Sequence, residues 1–129
     1  MWTAEQLRAI NEDGNLLVSA AAGAGKTAVM TERIARIIAS GTDVSEILVV
    51  TFTNPAAAEM KQRIERRLSE LAESTDDTKL KMHLHDSAIN ISTANISTIH
   101  SFCGNVLRRN CHIVGLCLLY TSDAADDKA

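Results

Sequence analysis

Unbroken apolar runs alternate along this chain with stretches in which apolar residues recur every three or four positions. Continuous runs are typical of buried strands, whereas the wider spacing is typical of helices that rest one face on a core. The runs at residues 16–19 and 47–52 therefore predict two strands, both fully buried. Residues 95–99 predict a third, shorter strand.

Helical signals fill the intervals between these strands. Thr3 and Gln6 have the spacing of a capping box, which begins a helix that ends near Glu12. The expected core positions of two later helices are Met60, Ile64, Leu68 and Leu71 in one, and Phe102, Val106 and Leu107 in the other. Helices are predicted at residues 28–40, 54–73, 80–91 and 100–112.

Strands that alternate with helices predict an α/β fold, with a mostly parallel sheet flanked by helices on both faces. Ligands of such sheets bind at the carboxyl ends of the strands. The segments that directly follow the predicted strands are therefore the first places to look for chemistry.

A glycine-bearing segment that ends in Gly-Lys-Thr follows the first predicted strand and precedes a helix, which is the layout of a phosphate-binding P-loop. Small residues let backbone N–H groups surround phosphate oxygens, and the helix adds its positive end. Lys26 is expected to reach the β- and γ-phosphates of a nucleotide, and the Thr27 hydroxyl to hold Mg²⁺. A turn that merely packs a helix on a strand would leave Lys26 opposing the helix dipole. The predicted nucleotide-binding residues are Ala20, where the strict pattern has Gly, and Ala21, Ala22, Gly23, Ala24, Gly25, Lys26 and Thr27.

Two further segments narrow the class of NTPase. Residues 51–60, which begin Thr-Phe-Thr-Asn, resemble the second helicase motif of UvrD/Rep-type superfamily 1 DNA helicases. Residues 98–102, Thr-Ile-His-Ser-Phe, are similar to the single-strand-contacting motif that follows it. Gln6 matches the glutamine that reads adenine in that family. Pro55 departs from the lysine or alanine common at its place, so no basic phosphate contact is expected there.

The resemblance implies the N-terminal part of a RecA-like P-loop NTPase domain that uses ATP and Mg²⁺ and moves on single-stranded DNA while unwinding duplex DNA. Within the family, the residues that open the chain and Ala28 after the P-loop are most similar to the AddA branch, helicase–nuclease proteins related to RecB. That branch implies double-strand-break processing and a second, AddB-like subunit. The residues expected to contact DNA are Thr51, Phe52, Thr53, Asn54, Thr98 and His100.

Several of these residues also have a plain structural interpretation. Without the resemblance Phe52 is a core aromatic, and with it a side chain that stacks on a base. Gln6 already has a capping role, and His100 is also explained as a residue that starts a helix. Two other protein classes stay open: a nucleotide kinase or non-motor ATPase, and a nucleotide-binding module without enzymatic activity. Stimulation of ATP hydrolysis by single-stranded DNA separates a motor from a kinase.

Charge and composition add little to this picture. The net charge of −3 gives no overall basic character, although a motor binds strands in local grooves. The basic residues at 61–67 predict a solvated helix face rather than a DNA-binding stripe. No apolar stretch approaches a membrane span, no signal peptide is visible and the cysteines lack metal-ligand spacing, which together predict a cytoplasmic protein without membrane partners.

The last residues predict a boundary. Residues 117–129 are similar to the conceptual translation of a transposase-type sequencing adapter, so the helicase-like domain is assigned to residues 1–116 and the tail to a non-native origin. The 129 residues contain no Asp-Glu box, second motor lobe or nuclease carboxylate cluster. The chain by itself is therefore expected neither to unwind DNA nor to turn over ATP appreciably. Reading the source DNA past the codon for Leu116 tests the boundary.

Overall fold

The fold was obtained as a computed structural model, which describes residues 1–19 and 25–115. Its main helices are α1 (Ala4–Asn11), α2 (Lys26–Ala39), α3 (Asn54–Ser74), α4 (Thr78–Asn90), α5 (Ile99–Arg109) and α6 (Cys111–Val114). Its strands are β1 (Leu48–Thr51) and β2 (Asn95–Thr98), and single 3₁₀ turns at Val44–Glu46 and Ile91–Thr93 lead toward them. The order of helices and strands confirms the predicted α/β class.

The two strands form a small parallel sheet, in which Leu48 pairs with Asn95 and Thr51 with Thr98. Because side chains alternate across a strand, Val49 and its partner Ile96 are buried on one face. Val50 and Leu48 lie on the other face, where Leu48 is 50% exposed. The predictions of a fully buried second strand and of helices on both faces are therefore wrong for the described residues, because only the Val49 face is covered.

The core lies where α3 packs against α2, α4 and the covered sheet face. Three of its residues on α3, Ile64, Leu68 and Ala72, are completely buried. They recur at four-residue intervals, so one stripe of α3 faces inward along most of its length. This confirms the predicted stripe, in which Leu71 is only half-buried. The α3–α4 pair is the scaffold on which the sheet and α2 are mounted.

The predicted first strand does not form. Residues 16–19 are described but have no strand pairing, and Leu17 is 97% exposed. A strand needs a neighbour to satisfy its backbone N–H and C=O groups, and β1 and β2 pair with each other. No third strand among residues 1–19 and 25–115 stands beside this apolar run, so its pattern alone does not produce a strand.

The predicted inward face of the last long helix is also wrong. On α5, Phe102 is half-buried, and Val106 and Leu107 are both exposed. The helix has the expected apolar stripe, but no described element covers it fully. The stripe therefore reflects a potential contact face rather than a filled core.

An ion pair ties α2 to α3. The Glu32 carboxylate accepts hydrogen bonds from Arg67 at 2.6 Å (Nε) and 3.2 Å (Nη2), and from Arg36 at 3.2 Å. These bonds, with Arg67 the largest contributor, hold the pKa of Glu32 below its usual value of 4.5 despite burial. On the same helix, Arg63 pairs with Glu59 and Lys61 donates to the Ser92 carbonyl. Three of the basic residues at 61–67 thus have intramolecular partners, and the preference for a solvated face over a DNA-binding stripe stays a prediction.

Within the described residues, no helix combines the length and the apolar character required to cross a lipid bilayer.

Candidate functional site

The first part of the candidate site is the start of α2. Gly25 is its N-cap residue in the left-handed conformation (φ 79°) and supplies no side-chain cap. Lys26 and Thr27 follow in the first turn, where both are exposed. A helix start with a lysine and a hydroxyl, no side-chain cap and no acidic residue in its first turn suits an anion, because the first N–H groups of a helix have no partner within it. The remaining predicted P-loop residues lie outside the described ones: Ala20, Ala21, Ala22, Gly23 and Ala24.

Gln6 lies beside this helix start. A Cβ atom built on Gly25 would stand 3.3 Å from Gln6 Nε2, so the glutamine amide fits against the glycine and leaves little space for a side chain there. At the same time Gln6 Oε1 accepts from the Thr3 backbone N–H at 2.9 Å, and Thr3 Oγ1 accepts from the Gln6 N–H at 3.2 Å. The predicted capping box is confirmed, and it directs the nitrogen end of the amide toward the start of α2.

The two roles considered for Gln6 are therefore compatible. An amide oxygen has two lone pairs, and the cap uses one of them. The amide borders a cleft of about 270 Å³ between α1, the segment before the predicted P-loop and the start of α2. Its lining residues are Thr3, Glu5, Gln6, Ala9, Val18, Ser19, Lys26 and Val29.

Sequence reasoning missed one residue of this region, Arg33. Its Nη1 donates to the carbonyl oxygens of Ala9 and Glu12, both at 2.8 Å, and lies 3.5 Å from that of Ile10. Arg33 stands seven positions after Lys26, which places both residues on one face of α2. That spacing was the available signal, but nothing in the sequence shows that a helix end lies opposite.

The second part of the candidate site is the carboxyl edge of the sheet. Because Thr51 pairs with Thr98, the two helicase-like segments leave the sheet side by side. Thr53 caps α3 by accepting from the Ala56 N–H at 3.2 Å, and Thr98 caps α5 by accepting from the Ser101 N–H at 3.1 Å. Both helices therefore begin at this edge: α3 begins at Asn54 as predicted, and α5 begins at Ile99, one residue before its predicted start.

The side chains at this edge differ in accessibility. Phe52 is fully exposed, so it has no place in the described core. Asn54 and His100 are also exposed, in the first turns of α3 and α5. Thr98 is buried, and its hydroxyl also donates to Ser101 Oγ at 3.0 Å, so its side chain is occupied by the cap. Thr51 donates to the Thr53 carbonyl at 3.0 Å and shapes the turn.

The Thr31 side chain connects the starts of α2 and α3, in addition to the Glu32–Arg67 ion pair further along the same helices. Thr31 Oγ1 donates to the Thr27 carbonyl at 2.8 Å and contacts Met60 Sδ at 3.7 Å. Thr31 lies one turn after Thr27 on α2, and Met60 lies in the second turn of α3. The starts of α2 and of the helix behind Phe52 are therefore coupled through packed side chains.

Comparison of the amino-acid sequence with known proteins shows that the chain is similar to helicases. Residues 2–127 match the family model described as the UvrD/REP helicase N-terminal domain. The chain is 47% identical over 116 residues to a Lactobacillus gasseri protein, 49% over 115 residues to one from Alkaliphilus metalliredigens, and 50% over 112 residues to one from Desulforamulus reducens. All three are named as a subunit of an ATP-dependent helicase/nuclease.

These alignments cover 84–89% of this chain but only 9% of each relative, so the chain spans about a tenth of the length of the curated relatives. The likeness therefore concerns the segment that carries the predicted P-loop and the two strand-end motifs. The family match extends over nearly the whole sequence. The chain belongs to the UvrD/REP helicase N-terminal domain family.

Proposed function

We propose that this chain is the N-terminal ATP-binding segment of an ATP-dependent DNA helicase, whose strand-end segments grip single-stranded DNA. The observation that carries the proposal is the Thr51–Thr98 pairing, which brings two separate segments to one edge where Phe52 is fully exposed. The exposed Phe52 side chain offers an unobstructed aromatic face, and every nucleobase offers a complementary stacking face.

The residues present fit Mg²⁺ and a nucleoside triphosphate. Lys26 and Thr27 occupy the first turn of a helix without a side-chain cap, and Gly25 takes the left-handed conformation at its N-cap. The Thr27 hydroxyl is a hard oxygen ligand of the kind that Mg²⁺ prefers. Gln6 would bind the adenine edge through the part of its amide that the cap does not use. Bound ATP supplies the energy of the motor.

The whole protein's activity and partners are part of this proposal. The relatives are named as a subunit of a helicase/nuclease, so we infer a double-strand-break processing enzyme that pairs with a second, AddB-like protein and binds single-stranded and duplex DNA. A nucleotide kinase would share the P-loop but would leave the exposed edge beside Thr51 and Thr98 without a role.

The DNA half of the proposal is tested with fluorescently labelled single-stranded DNA. Phe52→Ala should weaken binding by about 1–3 kcal/mol, the size of one base–aromatic stack, whereas Phe52→Trp should keep most of the affinity. Ile89→Ala is the matched control, because Ile89 is an exposed apolar residue on α4, away from this edge. Equal affinity in Phe52→Ala and the unsubstituted chain would refute the stacking role.

The nucleotide half is tested with Lys26→Ala. Binding of MgATP by the chain should be lost while the far-ultraviolet circular dichroism spectrum is retained, because Lys26 is exposed and supports no part of the core. In a longer protein that contains this segment, the same change should abolish ATP hydrolysis stimulated by single-stranded DNA. Turnover like that of the unsubstituted protein would sink the assignment of Lys26.

A further inference from the structure

Helix α1 needs an external partner at its carboxyl end. It has only eight residues, and isolated helices of that length are not stable in water. The last carbonyl groups of a helix have no partner within it. The Arg8 carbonyl accepts from the Glu12 N–H, which leaves those of Ala9 and Ile10 to the Arg33 guanidinium. Arg33 thus closes the end of α1 that the capping box does not reach.

The same contact fixes Gln6. Residues three and four apart share one face of a helix, so Gln6 lies on the side of α1 that carries Ala9 and the buried Ile10. Ala9 is only about 4.5 Å along the helix axis from Gln6. A tilt of α1 at the Arg33 contact would therefore move the Gln6 amide away from Gly25, which it approaches closely.

Arg33 lies on the same helix, α2, as Lys26 and Thr27, the predicted phosphate-binding residues that the structure describes there. Gly25 caps α2, Lys26 begins it, and Arg33 lies two turns further on the same face. The Arg33 contact thus fixes the position of Gln6 on α1 relative to Lys26 on α2. Arg33 does not line the cleft of about 270 Å³ at Gln6; it lines an adjoining cavity of about 210 Å³ that shares Ala9 and Lys26 with that cleft.

We propose that Arg33 is a positioning residue of the nucleotide site, which holds α1 so that Gln6 recognises the base of a nucleotide bound at Lys26 and Thr27. This inference rests on the proposed ATP site and separates base recognition from phosphate binding within it. Loss of Arg33 impairs recognition of the base and leaves binding of the phosphates largely intact.

The test compares two ligands, MgATP and inorganic tripolyphosphate with Mg²⁺, by isothermal titration calorimetry on the 129-residue chain. Arg33→Ala should weaken ATP binding by about three- to tenfold, the worth of one neutral hydrogen bond, and change tripolyphosphate binding by less than about twofold. Arg33→Lys should keep most of the ATP affinity, because an ammonium group also offers three donors. Arg8→Ala, which removes an exposed arginine of α1 whose ion-pair partner is the nearby Glu12, should change neither ligand.

Each other outcome has a defined meaning. An unchanged ATP affinity in Arg33→Ala, or an equal loss for both ligands, overturns the positioning role while the nucleotide site stands. Failure of the unsubstituted chain to bind either ligand overturns the proposed ATP site and this inference with it. If Arg33→Ala does not fold, Arg33→Gln, which keeps a shorter N–H donor, takes its place with the same expected pattern.

Discussion

Replacing Arg67 with methionine tests the ion pair that holds α2 against α3. The Glu32 side chain is 6% exposed and the Arg67 side chain 34% exposed, so the carboxylate is buried while the guanidinium reaches the surface. Methionine has nearly the same helix propensity as arginine and fills a similar volume with apolar atoms. The substitution therefore removes the charge and its hydrogen bonds with little change in the helix.

The magnitude follows from what Glu32 loses. Arg67 supplies two of the three hydrogen bonds to the carboxylate, and Arg36 supplies the third. Breaking a buried pair costs about 3–5 kcal/mol when the remaining charge has no other partner. Because Arg36 stays and Arg67 is partly solvated, we expect a smaller loss than this, about 2–3 kcal/mol in the free energy of unfolding.

The assay is urea unfolding at pH 7 followed by circular dichroism, with Arg63→Met as the matched control. Arg63 lies one turn before Arg67 on the same helix and pairs with Glu59, but both side chains are well exposed, at 44% and 57%. Exposed pairs of this spacing contribute about 0.3–0.5 kcal/mol. If Arg67→Met were no more destabilising than Arg63→Met, the buried pair would not be what holds the two helices together.

Three further outcomes are expected. The pKa of Glu32 is lowered in the folded chain chiefly by Arg67, so the pair stabilises the fold above pH 4.5 and that contribution is lost as the pH falls through the lowered pKa. The difference in unfolding free energy between Arg67→Met and the unsubstituted chain should therefore shrink in acid. A difference that grows in acid would contradict the assigned role of the pair. Gly25→Ala should destabilise the fold more than Gly14→Ala, since both glycines have left-handed φ angles but only a Cβ at Gly25 meets Gln6. In urea titrations, this difference between the two variants should disappear when Gln6 is also replaced by alanine. Leu68→Ala should lower the free energy of unfolding by about 2–5 kcal/mol, because Leu68 is completely buried. Leu107→Ala on α5, where the side chain is 40% exposed, should lower it by less than about 1 kcal/mol. Similar losses for the two variants in thermal unfolding would refute the assignment of the core.

Local signals in the sequence predicted the helices well. The Thr3–Gln6 capping box and the start of α3 after Thr53 depend on residues three apart, and both form as expected. The α3 stripe at Ile64 and Leu68 depends on helical periodicity and on one neighbour of sufficient size. These interactions depend on residues that are close together in the sequence, so they can be predicted from the sequence pattern.

Long-range partners were beyond that reasoning. The run at residues 16–19 has the composition of a strand, but a strand forms only if another strand lies beside it, and composition does not specify a neighbour. Burial of Val50 and Leu107 likewise depends on what covers a face. Arg33 shows the converse, because its partners are backbone carbonyls more than twenty positions away, which carry no residue-type signal.

The predictions from the helicase-like motifs concern residues that are distant in the sequence, unlike the predictions from hydrophobic periodicity. The sequence predicted DNA contacts for both Phe52 and His100, and the Thr51–Thr98 register explains how segments so far apart reach one edge. It also left open whether Gln6 could serve both the cap and the base; the cap uses the oxygen of the amide, and the nitrogen faces Gly25. The roles of these residues in binding stay predictions until the titrations are made.

The separation of β1 from β2 by α3 and α4 also bears on how the chain folds. Pairing strands so distant along the chain requires closing a long loop, which is slow and entropically costly. We therefore expect adjacent helices such as α3 and α4, whose contacts are local, to pack first and bring the strand ends together. If the edge that carries Phe52 is assembled last, substitutions there should accelerate unfolding and leave the rate of folding nearly unchanged.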